Sequence, residues 1–171
     1  MILVNEEVLK DYLQHHWVGS TAGVALFRRV GRTHADPDAA AEVRDLAVDV
    51  AADRETLRGL MISVDVAPST IGTVVARLAE ALGRLKPNGR VLSRSPLTDV
   101  VELEALRLAT AGRRAGFEVL RAAADDEPRL DPYALDRLLE RADEHLRTLD
   151  RLHVSVSRQR LVADAGPHRP S

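Results

Sequence analysis

Residues 83–97, GRLKPNGRVLSRSPL, carry Arg84, Lys86, Arg90 and Arg94 with no acidic residue before Asp99. Whether this stretch grips phosphate or joins two helices decides how the chain on either side is arranged. Two local signals favour the join. Asn88-Gly89 can close a helix through a left-handed turn. Ser95-Pro96 can open the next, because a serine cap is followed by a proline whose missing N–H costs nothing at the first helical position. A phosphate loop would more often bring aromatic stacking partners or a Gly-Lys-Ser/Thr run, and the stretch has neither. The four cations are therefore expected in a solvated linker. Contact with a phosphate or an acidic partner is the alternative reading.

The same start signal recurs elsewhere. Asp36-Pro37 and Asp131-Pro132 repeat it, and Asn5 followed by Glu6-Glu7 places acids at the positive end of a helix dipole. Pro68-Ser69 suggests one more start. These signals predict helices over 6–32, 37–64, 68–86, 96–124 and 132–157, four long and one short. In each long segment apolar residues recur in steps of three and four, the mark of one buried stripe. Leu9, Leu13, Gly23, Phe27 and Val30 form the first stripe, and Val43, Leu46, Val50, Leu57, Leu60 and Val64 the second. In the 96–124 segment the stripe is read as Leu97, Val101, Leu108, Ala111 and Ala115, with Val100, Leu103, Leu106, Phe117 and Leu120 as additional apolar surface. Leu135, Leu138, Ala142, Leu149 and Leu152 form the last. The expected architecture is all-α: an antiparallel four-helix bundle over residues 1–157 with the short helix in the crossover, followed by a flexible tail, 158–171.

Composition agrees with that class. Of 171 residues, 45% are apolar but only 3% aromatic, so the core must be built from Leu, Val and Ala, which suit closely packed helices better than strands. A net charge of -2 gives the whole molecule no reason to seek nucleic acid or anionic lipid. The absence of cysteine removes disulfides, thiolate metal sites and cysteine nucleophiles, leaving oxygen and imidazole chemistry. MILVNEEVLKDY lacks a basic flank and does not read as a secretory signal. No apolar run approaches the roughly 20 residues of a membrane span. A soluble, cytoplasmic protein without a membrane partner is expected.

Polar residues that interrupt a stripe carry the functional information, because a buried polar group must be satisfied. His16 and Ser20 interrupt the first, Asp53 the second and Glu104 the third. His153 lies near the centre of the last, with His145 at its edge. With hairpin turns taken near residues 34 and 128, Asp53 falls level with His16, and Glu104 with His153. These can be structural pairs that fix helix register, His16 with Asp53 and Glu104 with His153 or Arg107. Gly19, Ser20 and Gly23 make a small-residue face suited to a close helix crossing within the chain.

Two antiparallel helix pairs, a long crossover and inward polar residues at mid-helix resemble the ferritin-like superfamily. That resemblance implies two iron or manganese ions held by a Glu from each of two helices and a Glu-x-x-His from each of the others, with oxygen or peroxide chemistry or iron storage. Glu104 matches the lone glutamate of one helix, and Asp150-Arg-Leu-His153 is a shortened form of the paired motif. His16 stands where a glutamate belongs, Asp53 has no following histidine, and no Glu-x-x-His occurs in the chain. A di-metal centre cannot be assembled from this set. A single Zn, Fe or Mn on His16, Asp53, Glu104 and His153, with Asp150 beside it, is the ligand set that remains.

The expected role is thus a non-catalytic scaffold or partner-binding protein without cofactor, with the additional surface of Val100, Leu103, Leu106, Phe117 and Leu120 covered in part by the 68–86 helix and for the remainder by a second copy in a homodimer. A metal-binding protein or metal-dependent oxidoreductase is the alternative. A module that binds phosphate or an acidic partner through Arg84, Lys86, Arg90 and Arg94 is the second.

Overall fold

The computed structural model describes residues 5–70 and 95–162, and within them the chain is all-helical. Four helices follow in order: α1 (Glu6–Thr33), α2 (Pro37–Ser63), α3 (Pro96–Ala123) and α4 (Pro132–Leu161). Each begins at the cap expected from sequence. The Asn5 side chain accepts from Val8 N, Asp36 from Asp38 and Ala39 N, Ser95 from Leu97 N, and Asp131 from Tyr133 and Ala134 N. These bonds satisfy donors that have no partner inside the first turn. α4 runs four residues beyond the expected end at 157, so residues 158–161 of the expected tail are helical, and 163–171 lie outside the described residues. Residues 66–70 are not helical, and the rest of the predicted fifth helix lies outside the described residues.

α1 packs on α2 and on α3, α2 packs on α4, and α3 packs on α4. Every contacting pair runs antiparallel. Along α3 and α4 the partners are Arg107 with Asp150, Arg114 with Asp143 and Arg121 with Asp136, each step of seven up one helix matched by seven down the other. A seven-residue repeat keeps one seam of each helix facing the other. Residues 66–70 are fastened to α1 by Gln14, which bonds Ala67 O at 2.6 Å and Ser69 N at 3.1 Å, and by Trp17 Nε1, which donates to Ser69 O at 3.0 Å.

The core is divided in two. One apolar cluster holds Leu13, Trp17, Leu57, Met61, Phe117, Leu120, Leu135 and Leu138. The other holds Phe27, Val30, Val43, Val50, Leu103, Leu106, Leu149 and Leu152. The stripes read from sequence in α1, α2 and α4 supply half of each.

The stripe expected in α3 is the wrong one, and the additional surface expected to seat the short helix and a second chain is core instead. Val100, Leu103, Leu106, Phe117 and Leu120 are buried, whereas Leu97, Val101 and Leu108 are 55%, 48% and 75% exposed. Both rows have helical spacing, so periodicity alone does not choose between them. The arginines at 107, 114 and 121 choose, because turning them toward the aspartates of α4 rotates the Val100–Leu120 row inward.

Candidate functional site

Between the two apolar clusters lies a layer of buried charge. Asp53 of α2 is 0% exposed and is ion-paired with Arg113 of α3 at 3.3 Å and with Arg141 of α4. Arg113 reaches it across the core from the diagonally opposite helix. Its Nη2 donates to Nδ1 of the buried His145 at 2.9 Å. Nδ1 then serves as acceptor, so the proton of the neutral ring sits on Nε2, which faces the Asp49 carboxylate at 3.5 Å. Burial pushes the His145 pKa down, and the Arg113 guanidinium adds to that, while Asp49 opposes it. Burial pushes the Asp53 carboxyl up, against the pull of Arg113 and Arg141. Burial also lowers the pKa of Arg113.

On its fourth side the layer meets α1 at Gly19, Ser20 and Gly23. This small-residue face does point at α3, but it does not produce the close crossing expected from sequence. Among the described residues, a Cβ built on Gly19, Gly23 or, across the gap, Gly112 would meet nothing within 4 Å. Gly116, further along α3, is tightly held against the His16 ring. The result is a cavity of about 320 Å³ between α1 and α3, whose inner wall includes Val50, Leu57 and Arg113. The Ser20 and Thr110 hydroxyls on its wall donate to backbone carbonyls, Trp17 O at 3.0 Å and Leu106 O at 2.9 Å. Asp53 Oδ2 meets Arg113 Nη1 and Asp53 Oδ1 meets Arg141 Nη2 as ion pairs, while Arg113 Nε is buried with no hydrogen-bond partner among the described residues.

The ligand set derived from the resemblance is not gathered. Asp53 is inward, as expected, but its charge is balanced by two guanidiniums. His16 is half-buried beside the cavity, its ring tilted against that of Tyr12 with centroids 4.5 Å apart. Burial, and then the charge of His15, lower its pKa. Gly31 lies against the backbone of Arg44, which centres the first hairpin between residues 37 and 38 and not near 34. That moves the level of His16 about six residues, roughly 9 Å, from Asp53.

Glu104 and His153 do pair, at 3.2 Å, as their depth in the second hairpin predicts. Glu104 is exposed and not inward, because it belongs to the outward row of α3. Asp150 is likewise outward and bonded to Arg107 Nε at 2.6 Å. Among the described residues no three His, Asp or Glu side chains are grouped to hold a metal ion. The donor set therefore does not fit the metal centre that the resemblance implies. Arg84, Lys86, Arg90 and Arg94 lie outside the described residues.

Sequence reasoning missed Arg113, Arg141 and Asp49. Arg113 was legible in principle, three residues after Thr110 and four before Phe117 on the inward row, but only once that row is chosen. None of the described helices is long and apolar enough to cross a membrane. No protein family, curated protein or solved structure matches the chain.

Proposed function

We propose that this chain is a non-catalytic, ferritin-like antiparallel four-helix bundle that self-associates through the outer face of α3. The observation that carries this reading is the row Leu97, Val101, Leu108 and Val119, exposed by 48–75% and confined to one side of the helix. Scattered apolar residues are ordinary at a protein surface, whereas several aligned on one helix face, broken here by Glu104, favour an interaction surface. Ala111, Gly112 and Ala115 near its middle permit close approach of a second helix. About a two-fold axis near Ala111, Leu108 of one copy falls opposite Ala115 of the other, large against small, twice by symmetry. In this reading Arg113 and Arg141 neutralise Asp53 at the height where a ferritin-like bundle would hold metal cations, so the interior is structural and the work is done outside.

Sedimentation velocity over a wide range of protein concentration tests it. Wild-type protein is expected to dimerise, and Leu108→Glu to remain monomeric with unchanged helicity. A wild-type chain that stays monomeric throughout, or a dimer indifferent to both Leu108→Glu and Val101→Glu, overturns the proposal.

A further inference from the structure

Independently of self-association, we propose that the buried polar layer is an index. It selects one helix register from several that the apolar rows and the α3–α4 seam would otherwise accept, and it supplies that selection in place of net stability. Each helix carries a buried row with a step of seven in which only the middle member is polar. The rows are Leu46, Asp53 and Leu60 in α2, Leu106, Arg113 and Leu120 in α3, and Leu138, His145 and Leu152 in α4. In α1 the row is Leu13, Ser20 and Phe27. Leu13, Leu60, Leu120 and Leu138 lie in the apolar cluster of Trp17, whereas Phe27, Leu46, Leu106 and Leu152 lie in the other.

Burial of carbon is non-directional, so apolar rows that repeat every seven residues pack about as well after a slip of seven. The seam repeats with the same step. After such a slip Arg107 would meet Asp143 and Arg114 would meet Asp136, so a seam that forbids a slip of one turn tolerates a slip of two.

The connections leave this ambiguity open. Residues 34–36 join α1 to α2 tightly, but the two hairpins are joined only through residues 64–95. Residues 124–131, between α3 and α4, can reach over about 26 Å, and a seven-residue slip moves a helix by only about 10 Å. Polar contacts at the ends of the hairpins add to the selection without deciding it. Arg129 with Glu6 and Asp65, and Arg151 with Glu42, are exposed and screened by water. Asp99 gives one 3.3 Å bond to Ala35 N.

The layer occurs once along the bundle and has no repeat. A slip of seven between the hairpins sets Asp53 against leucines and leaves Arg113 facing Leu46 or Leu60. Within the second hairpin, the same slip parts Arg113 from His145, its partner at 2.9 Å. Either way a buried charge loses its partner, and that cost exceeds anything a screened surface pair contributes. One buried polar position fixes the register of a coiled coil for the same reason.

Distances between nitroxide labels test the proposal. The chain has no cysteine, so labelling sites can be introduced without competition. Glu118→Cys/Arg147→Cys reports the second hairpin and Arg58→Cys/Arg147→Cys one hairpin against the other, all at exposed positions. Double electron–electron resonance, with labelled protein diluted in unlabelled protein, is expected to give a single distance for each pair when the layer is intact. Asp53→Leu/Arg113→Leu/His145→Leu removes the index and leaves Arg141, 38% exposed, to water. This variant is expected to keep its helicity and its cooperative urea transition, and to show a second distance, displaced by up to about 10 Å, in at least one pair. A folded variant with one unchanged distance in both pairs overturns the proposal. So does a variant that fails to fold, because the layer would then hold the bundle together and not index it.

Discussion

The α3–α4 seam and the central layer use one chemistry, arginine against aspartate, in two media. Along the seam Arg107, Arg114 and Arg121 meet Asp150, Asp143 and Asp136 with their side chains a third or more exposed. Water screens such pairs, and ordering two long side chains offsets much of their attraction, so each contributes about 0.2–1 kcal/mol. They set register, because a helix slipped by one turn loses every rung together. In the layer, Asp53 and Arg113 are removed from water. There the loss of hydration rivals the attraction, and the pair is weak evidence of net stability. Removing one member is another matter, since its partner is left charged in a poorly solvating interior.

The largest expected effect comes from breaking the layer. Asp53→Ala leaves Arg113 facing no buried anion and is expected to destabilise the fold by about 3–5 kcal/mol, read as a fall in the urea midpoint. Replacing the pair together, Asp53→Leu with Arg113→Met, is expected to return most of that loss, because neither charge is then stranded. A double variant as unstable as the single one would show that the ion pair itself, and not the stranded cation, carries the stability.

Titration sharpens the contrast further. His145 faces Arg113 from α3, Asp49 from α2 and Arg141 of its own helix, with Asp53 behind them, and its pKa lies below the ordinary 6.5. An unfolded chain takes up a proton as pH falls through about 6.5, and the folded site resists it. Stability is therefore full above that pH and declines as pH falls toward the lowered folded value. His145→Gln, which retains an acceptor for Arg113 and a donor for Asp49, is expected to flatten this decline below about pH 6.5. Parallel stability curves for the two proteins would place the acid sensitivity elsewhere. His16, lowered in the same direction, remains in both. Asp53, with its carboxyl raised by burial, contributes the opposite slope at lower pH.

The smallest effect belongs to the seam. Asp150→Ala is expected to cost no more than about 1 kcal/mol, and raising the salt concentration to erase most of it. A loss comparable to that of Asp53→Ala, persisting at high salt, would dissolve the distinction between the two regions.

The seam and the layer were not equally legible in the sequence. Helix starts are local events, and Asn5, Asp36, Ser95 and Asp131 announce themselves because a cap needs only its own next few residues. The inward rows of α1, α2 and α4 are legible because each helix has one apolar side. α3 has two, and the choice between them is made by α4, which no reading of α3 alone contains. Glu104 follows from that choice. It was placed at the right height, opposite His153, and on the wrong side of the helix. The layer shows the same limit from the other direction. Asp53 stands out as an acid within an apolar row, but its partners come from two other helices, and an arginine reads as surface until its row is known to face inward.

Division of the interior has a consequence for how the molecule comes apart. The apolar side chains around Trp17 and those around Phe27 do not form one continuous mass, since Asp53, Arg113 and His145 stand between them. Slow amide exchange should accordingly fall into two blocks that open with different free energies, and a detergent or chaotrope that wets one end of the helices first will find a charged bulkhead before it reaches the other.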